Sequence, residues 1–188
     1  MARALRHVAC VATASMLVPA LALAADGYDL LATTLSLTPD VAARSIAAVQ
    51  TTALRAEADL TEVRFDANAL TVVEATLGGE PLVRRSEERA TVFVLPRTVR
   101  EGEVVELRFE YRGAPARGLV FDDGILYTSY FSCDWMLCAL DRPGDKFTAE
   151  LAVAAPEGWT SFTSESARAY PAASRRGGAG SRRVRRAR

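Results

Sequence analysis

Val105-Glu106-Leu107-Arg108-Phe109-Glu110-Tyr111-Arg112 decides the fold. Apolar and charged residues alternate at every position, which is the two-residue period of a half-buried β-strand with one wet face. Phe147, Ala149, Leu151 and Val153 repeat the pattern against Thr148 and Glu150. Ala90 to Leu95 and Leu70 to Leu77 are shorter β-rich runs, and Tyr28 to Leu37 and Ser45 to Ala56 read as two long strands around Thr38-Pro39-Asp40. The second of these is rich in alanine, but Ile46, Ala48, Gln50, Thr52 and Leu54 make no 3.6-residue stripe. Turn signals separate the runs at Gly78-Gly79, Glu101-Gly102-Glu103, Asp122-Asp123-Gly124, Arg142-Pro143-Gly144-Asp145 and Pro156-Glu157-Gly158. Many short strands at this spacing predict an all-β, sandwich-like domain of mostly antiparallel strands.

The ends of the chain differ chemically from this body. Arg3 and Arg6 precede an apolar run from Val8 to Leu23, and Ala22-Leu23-Ala24 offers small residues for cleavage. Residues 1–24 therefore read as a secretory signal peptide, with export to the periplasm or the medium. The run is shorter than the ~20 residues that a bilayer span needs, so no membrane association is expected after cleavage. All 23 acidic residues lie between Ala25 and Ala167, where only 13 basic ones accompany them. The formal neutrality of the whole chain averages an acidic domain, residues 25–167, with an arginine-rich tail. That tail, residues 168–188, carries eight arginines and no acid, lacks apolar periodicity and is expected to be disordered. Its composition is that of a GC-rich gene read in a shifted frame, and a genuine polycationic arm is the alternative. Arginine-rich arms bind nucleic acid by releasing counterions, but an exported protein rarely meets that partner, so none is expected.

Between Gly118 and Lys146 the alternation disappears, and Tyr127, Tyr130, Phe131, Trp135, Cys133 and Cys138 crowd into irregular sequence. An aromatic loop bounded by turns suggests a surface built to meet something. An exported chain permits a Cys133–Cys138 disulfide. Five residues of extended strand would hold the pair roughly 16 Å apart, against about 4.4–6.8 Å between the Cα atoms of a bridge. Only a turn within Asp134 to Leu137 allows the bond. Three readings stay open: unpaired packing cysteines, which this geometry favours, a bridge, and a metal site short of the four ligands that structural zinc takes. Ser129, Ser132 and Asp134 form no hydrolytic triad, because the only histidine is His7. Asp122-Asp123-Gly124 lacks the alternating oxygen ligands of a calcium loop and reads as a hairpin turn.

The elements Leu35-Ser36-Leu37-Thr38-Pro39, Leu70-Thr71-Val72 before Gly78-Gly79, Leu107 to Gly113, Gly118-Leu119, Tyr127-Thr128, Asp141-Arg142-Pro143 with Lys146, and Ala155 to Trp159 occur in this order. As an ordered set the chain from about Tyr28 to Thr163 resembles the N-terminal β-domain of the aminopeptidase N type zinc metallopeptidases, the gluzincins. That resemblance implies a saddle-shaped, non-catalytic β-domain covering a zinc domain that follows it in sequence. It implies proteolysis in full-length relatives, which remove N-terminal residues from peptides with zinc held on a His-Glu-x-x-His helix. No such motif stands in this chain, so the chain is expected to hold no cofactor and to be inactive by itself. Its expected partners are the missing catalytic domain or an intact relative, and peptides. The family places an amide or acid for the substrate's α-amino group just after Tyr-Thr. Here Ser129 stands in that place with Tyr130 and Phe131 behind it. Two readings follow: these residues line the mouth of an active site supplied by another domain, or Tyr130, Phe131 and Trp135 serve packing. A stand-alone exported β-sandwich that binds peptides or proteins is the alternative function.

Overall fold

The computed structural model describes residues 27–67, 69–87, 90–122, 124–129, 132–139, 146–155, 159 and 168–171. Their strands are β1 (Tyr28–Asp40), β2 (Ser45–Ala56), β3 (Leu60–Asp66), β4 (Leu70–Leu77), β5 (Glu80–Pro81), β6 (Val83–Ser86), β7 (Ala90–Val99), β8 (Val104–Gly113), β9 (Leu119–Asp122), β10 (Ile125–Thr128), β11 (Thr148–Ala155) and β12 (Arg168–Pro171). Three sheets result. The large one runs β12-β11-β1-β2-β8-β4-β5, the second β3-β7-β6, and the third is the β9–β10 pair.

β1 and β2 form a long antiparallel hairpin. Asp40 turns it, its Oδ1 accepting from the amide of Ala43 at 2.9 Å. β2 pairs antiparallel with β8, and β8 with β4. The mixed character comes from the far side, where β11 lies parallel to β1 and β12 parallel to β11. The tail expected to be disordered from Arg168 thus begins with four residues in a strand, because β11 offers Arg168–Pro171 a free edge of backbone donors and acceptors. The rest of that tail, residues 1–26, where a signal peptide is expected, and the Asp141-to-Asp145 corner lie outside the described residues.

The two larger sheets meet through aromatic rings. Phe65 of β3 and Phe93 of β7 face Phe109 of β8, with ring centroids 5.1 Å (Phe65–Phe109) and 4.9 Å (Phe93–Phe109) apart. Tyr28 stacks on Phe65 from β1, and its hydroxyl donates to the carbonyl of Arg64 at 2.5 Å. All four rings are buried. The alternation seen in the sequence is real burial: Val105, Leu107, Phe109 and Tyr111 point inward from β8, and Ile46, Ala48, Gln50, Thr52, Leu54 and Ala56 from β2. Two of those inward residues of β2 are polar, and they lead to the loop after β10.

Candidate functional site

The irregular stretch resolves into two units. The first is the β9–β10 hairpin, whose reversal uses Gly124 at φ 81°, a left-handed angle that suits glycine. Leu119 and Phe121 turn into the core, while Ile125 and Tyr127 stand half-exposed or more at 60% and 50%. Those two are the apolar side chains this hairpin shows to solvent. Ser129 follows, exposed, its amide donating to the carbonyl of Gly118 at 2.7 Å. Of the residues expected at a substrate mouth, the structure places Ser129 on the surface, and Tyr130 and Phe131 lie outside the described residues.

The second unit is a short loop closed by a disulfide. A 3-10 turn over Ser132–Asp134 reverses the chain, with the amides of Trp135 and Met136 donating to the Ser132 carbonyl at 3.0 and 2.9 Å. That turn brings the Cα atoms of Cys133 and Cys138 to 5.2 Å, and the two sulfurs are bonded. The structure thus takes the bridge among the readings left open, because the chain turns where the bond requires it. Trp135 is 8% exposed and packs in the core cluster with Leu119, Phe121 and Leu137. It fills this domain's interior. Its indole Nε1 is buried with no hydrogen-bond partner among the described residues.

The loop is docked by polar groups that the sequence reading passed over. Gln50, fully buried on β2, reads the Leu137 peptide with both ends of its amide: Nε2 donates to the carbonyl at 2.8 Å and Oε1 accepts from the N–H at 3.0 Å. Gln50 Nε2 also donates to Thr52 Oγ1 at 3.1 Å, and Thr52 shares a hydrogen bond of 3.1 Å with Thr33. The Tyr111 hydroxyl lies 3.2 Å from Gln50 Oε1 and 3.3 Å from the Trp135 carbonyl. Burial pushes the Tyr111 phenol well above its ordinary value, since its phenolate would lose hydration there. Cys138 exchanges both backbone hydrogen bonds with Asp66, at 2.7 and 3.2 Å, and so covers the end of β3. Asp134, 4% exposed, receives Arg117 through Nε at 2.9 Å and a second nitrogen at 3.4 Å. The one legible signal was Gln50 itself, a polar residue at an inward register position of a strand.

Among the described residues, no group of three His, Cys, Asp or Glu side chains comes together to hold a metal ion. No helix among them is long and apolar enough to cross a membrane. A shallow, open hollow of about 520 Å³ lies elsewhere, between the β1–β2 turn and the start of β4, lined by Thr38, Asp40, Ser45, Thr71 and Arg112.

No family model and no curated protein matches the chain. Solved structures do. A mutant of a two-domain M1 zinc metallopeptidase bound to L-tryptophan aligns at a TM-score of 0.60 with 23% identity, over 65% of this chain and 32% of that one. The M1 zinc metallopeptidase from Deinococcus radiodurans aligns at 0.59 with 24% identity, over 65% of this chain and 31% of that one. The chain shares the fold of a region of these enzymes and spans about a third of their length.

Proposed function

We propose that this chain is the non-catalytic N-terminal β-domain of an exported zinc aminopeptidase, a peptidase part that does no hydrolysis alone. One observation carries the reading: its β-fold coincides with about a third of a two-domain M1 zinc metallopeptidase. The ordered motifs from Leu35 to Trp159 support it independently. The zinc of such enzymes takes two imidazoles and a carboxylate. The single histidine here, His7, precedes the β-domain, and the described residues gather no metal-binding trio. The residues present do not fit that metal, and no hydrolytic step is assigned to them.

In this reading Ser129, with Tyr130 and Phe131, edges an active site that another domain completes, and the exposed Ile125 and Tyr127 lie against that domain. Where relatives place an amide or acid, the Ser129 hydroxyl offers one short donor and acceptor. A weaker hold on the substrate's α-amino group follows. Export rests on Arg3, Arg6 and the Val8-to-Leu23 run. Reading the gene onward in all three frames is the direct test. A His-Glu-x-x-His sequence within the next few hundred codons is expected, and none in any frame would overturn the reading. A second reading, a stand-alone exported binding module, is favoured by the complete aromatic core of Phe65, Phe93 and Phe109. It predicts a soluble, cooperatively unfolding monomer with measurable peptide affinity by calorimetry, and aggregation without binding would dismiss it.

A further inference from the structure

We infer that Cys133–Cys138 is a reversible thiol–disulfide site that latches Ser132 and Cys133 to the anchored half of the loop, and is not a staple for the fold. The bond joins residues only five apart in sequence. Rings this short remove less freedom from the unfolded chain than long ones do, since the entropic gain of a cross-link grows with loop length. More telling is what else holds the ring. Asp134 is taken by Arg117, the Trp135 carbonyl faces Tyr111, Leu137 is clamped by Gln50, and Cys138 is bonded twice to Asp66. Asp134, Leu137 and Cys138 are thus held by the rest of the domain without the sulfur bond.

The other side of the bridge is different. Among the described residues, the hydrogen bonds of Ser132 stay within the loop, to Trp135, Met136 and the Cys138 sulfur, and Cys133 makes none to the sheets. The disulfide is therefore the covalent cross-link, beside the two hydrogen bonds that the Ser132 carbonyl accepts, between Ser132–Cys133 and the anchored half of the loop. Both cysteines are partly exposed, which leaves the bond open to attack.

The chemistry is exchange with a dithiol. One thiolate of the reductant attacks a sulfur of the bridge, the Cys133–Cys138 bond breaks, and the displaced sulfur leaves as a thiolate and takes a proton. The second thiol of the reductant then displaces the protein sulfur. The protein ends with two thiols and the reductant with one disulfide, two electrons having passed to the protein. Nothing here depends on the peptidase reading, because the response is structural and local.

Hydrogen exchange on the full chain tests it, with dithiothreitol as the dithiol and thiol titration to confirm two free cysteines. On reduction the amides of Trp135 and Met136, which donate to Ser132, should exchange at least about ten-fold faster. The amides of Leu137 and Cys138, which donate to Gln50 and Asp66, should stay protected, and reoxidation should restore the first pair. The double variant Cys133→Ser with Cys138→Ser should show the reduced pattern without reductant. Loss of protection at Leu137 and Cys138 together with the rest would make the bond a staple and overturn the latch. So would unchanged exchange at Trp135 and Met136 with both thiols free, or a bridge that native-state dithiothreitol fails to open.

Discussion

Beneath β3 and β7, three phenylalanines hold two sheets together by shape and area alone; beneath residues 132–138, an amide braced by Thr52 and a phenol hold a loop to the same large sheet by hydrogen bonds. Both regions are buried, and both hang on inward positions of neighbouring strands, β8 for Phe109 and β2 for Gln50. They fail differently. Apolar contacts weaken in proportion to the atoms removed, whereas a buried polar network is satisfied as a whole or leaves costly orphans. The lesson is that this large sheet does two jobs with one face, forming a core with its apolar residues and fixing an otherwise irregular loop with its polar ones.

Phe109→Ala should be the most damaging single change. Phe109 is fully buried and touches both Phe65 and Phe93, so truncation removes apolar area and leaves a cavity worth about 3–5 kcal/mol. Against a total stability of order 5–15 kcal/mol, chemical denaturation should find a marginal or unfolded protein. A loss under about 1 kcal/mol would mean that the sheets are not joined there.

Gln50→Ala attacks the polar region and should cost about 3 kcal/mol, since it strands the N–H and carbonyl of Leu137. Gln50→Glu sharpens the contrast. The new carboxyl keeps an acceptor for Tyr111 but, buried, prefers its neutral form, so its folded pKa lies above the unfolded value of about 4.3. With the folded value raised, stability is retained below that pH and falls as pH rises toward 7. Thermal melts of this variant should therefore improve on acidification relative to wild type. An equal deficit at pH 4 and pH 7 would show that Gln50 does not face a dry network.

How much of this was legible follows from which rule each region obeys. β2 and β8 keep a strict alternation, and Ser45–Ala56 and Leu70–Leu77 form strands over the same residues that the sequence marked. β3 was not seen because a register shift between Leu60 and Glu62 breaks its period, leaving Leu60, Val63 and Phe65 at uneven spacing. β6, exposed throughout, has no inward face to write into the sequence. The loop after β10 was visible only as a place where periodicity stops. Its order comes from Gln50, Tyr111, Asp66 and Arg117, all distant in sequence, and a period of two cannot announce contacts made 87 residues apart.

Tyr111→Phe probes the junction of the two regions, because its ring belongs to the β8 core and its hydroxyl to the loop network. Loss of one hydrogen bond with the ring kept should cost about 1 kcal/mol. The raised folded pKa gives this residue a pH signature. Its contribution is complete below the unfolded value of about 10 and is lost as pH rises toward the folded one, because the unfolded chain sheds the proton first. Tyr111→Phe should flatten the alkaline end of the stability profile, and an unchanged profile would remove the phenol from the network.

The smallest effect belongs to the solvated charges, which set a baseline for both regions. Glu103, after the β7–β8 turn, is held below the ordinary glutamate range by the Arg97 guanidinium first and by the Arg100 amide second. A depressed folded pKa means support present above about pH 4.3 and lost as pH falls through the folded value. Yet the group is open to water, where ordinary salt screens charges over roughly 10 Å and exposed pairs contribute little. Glu103→Gln should thus shift the urea midpoint slightly at pH 7 and low salt, and the shift should vanish at pH 3 or in strong salt. Were it to rival Gln50→Ala, burial would not be what separates the two classes of polar contact in this domain, and the contrast between core and loop would have to be drawn from charge instead.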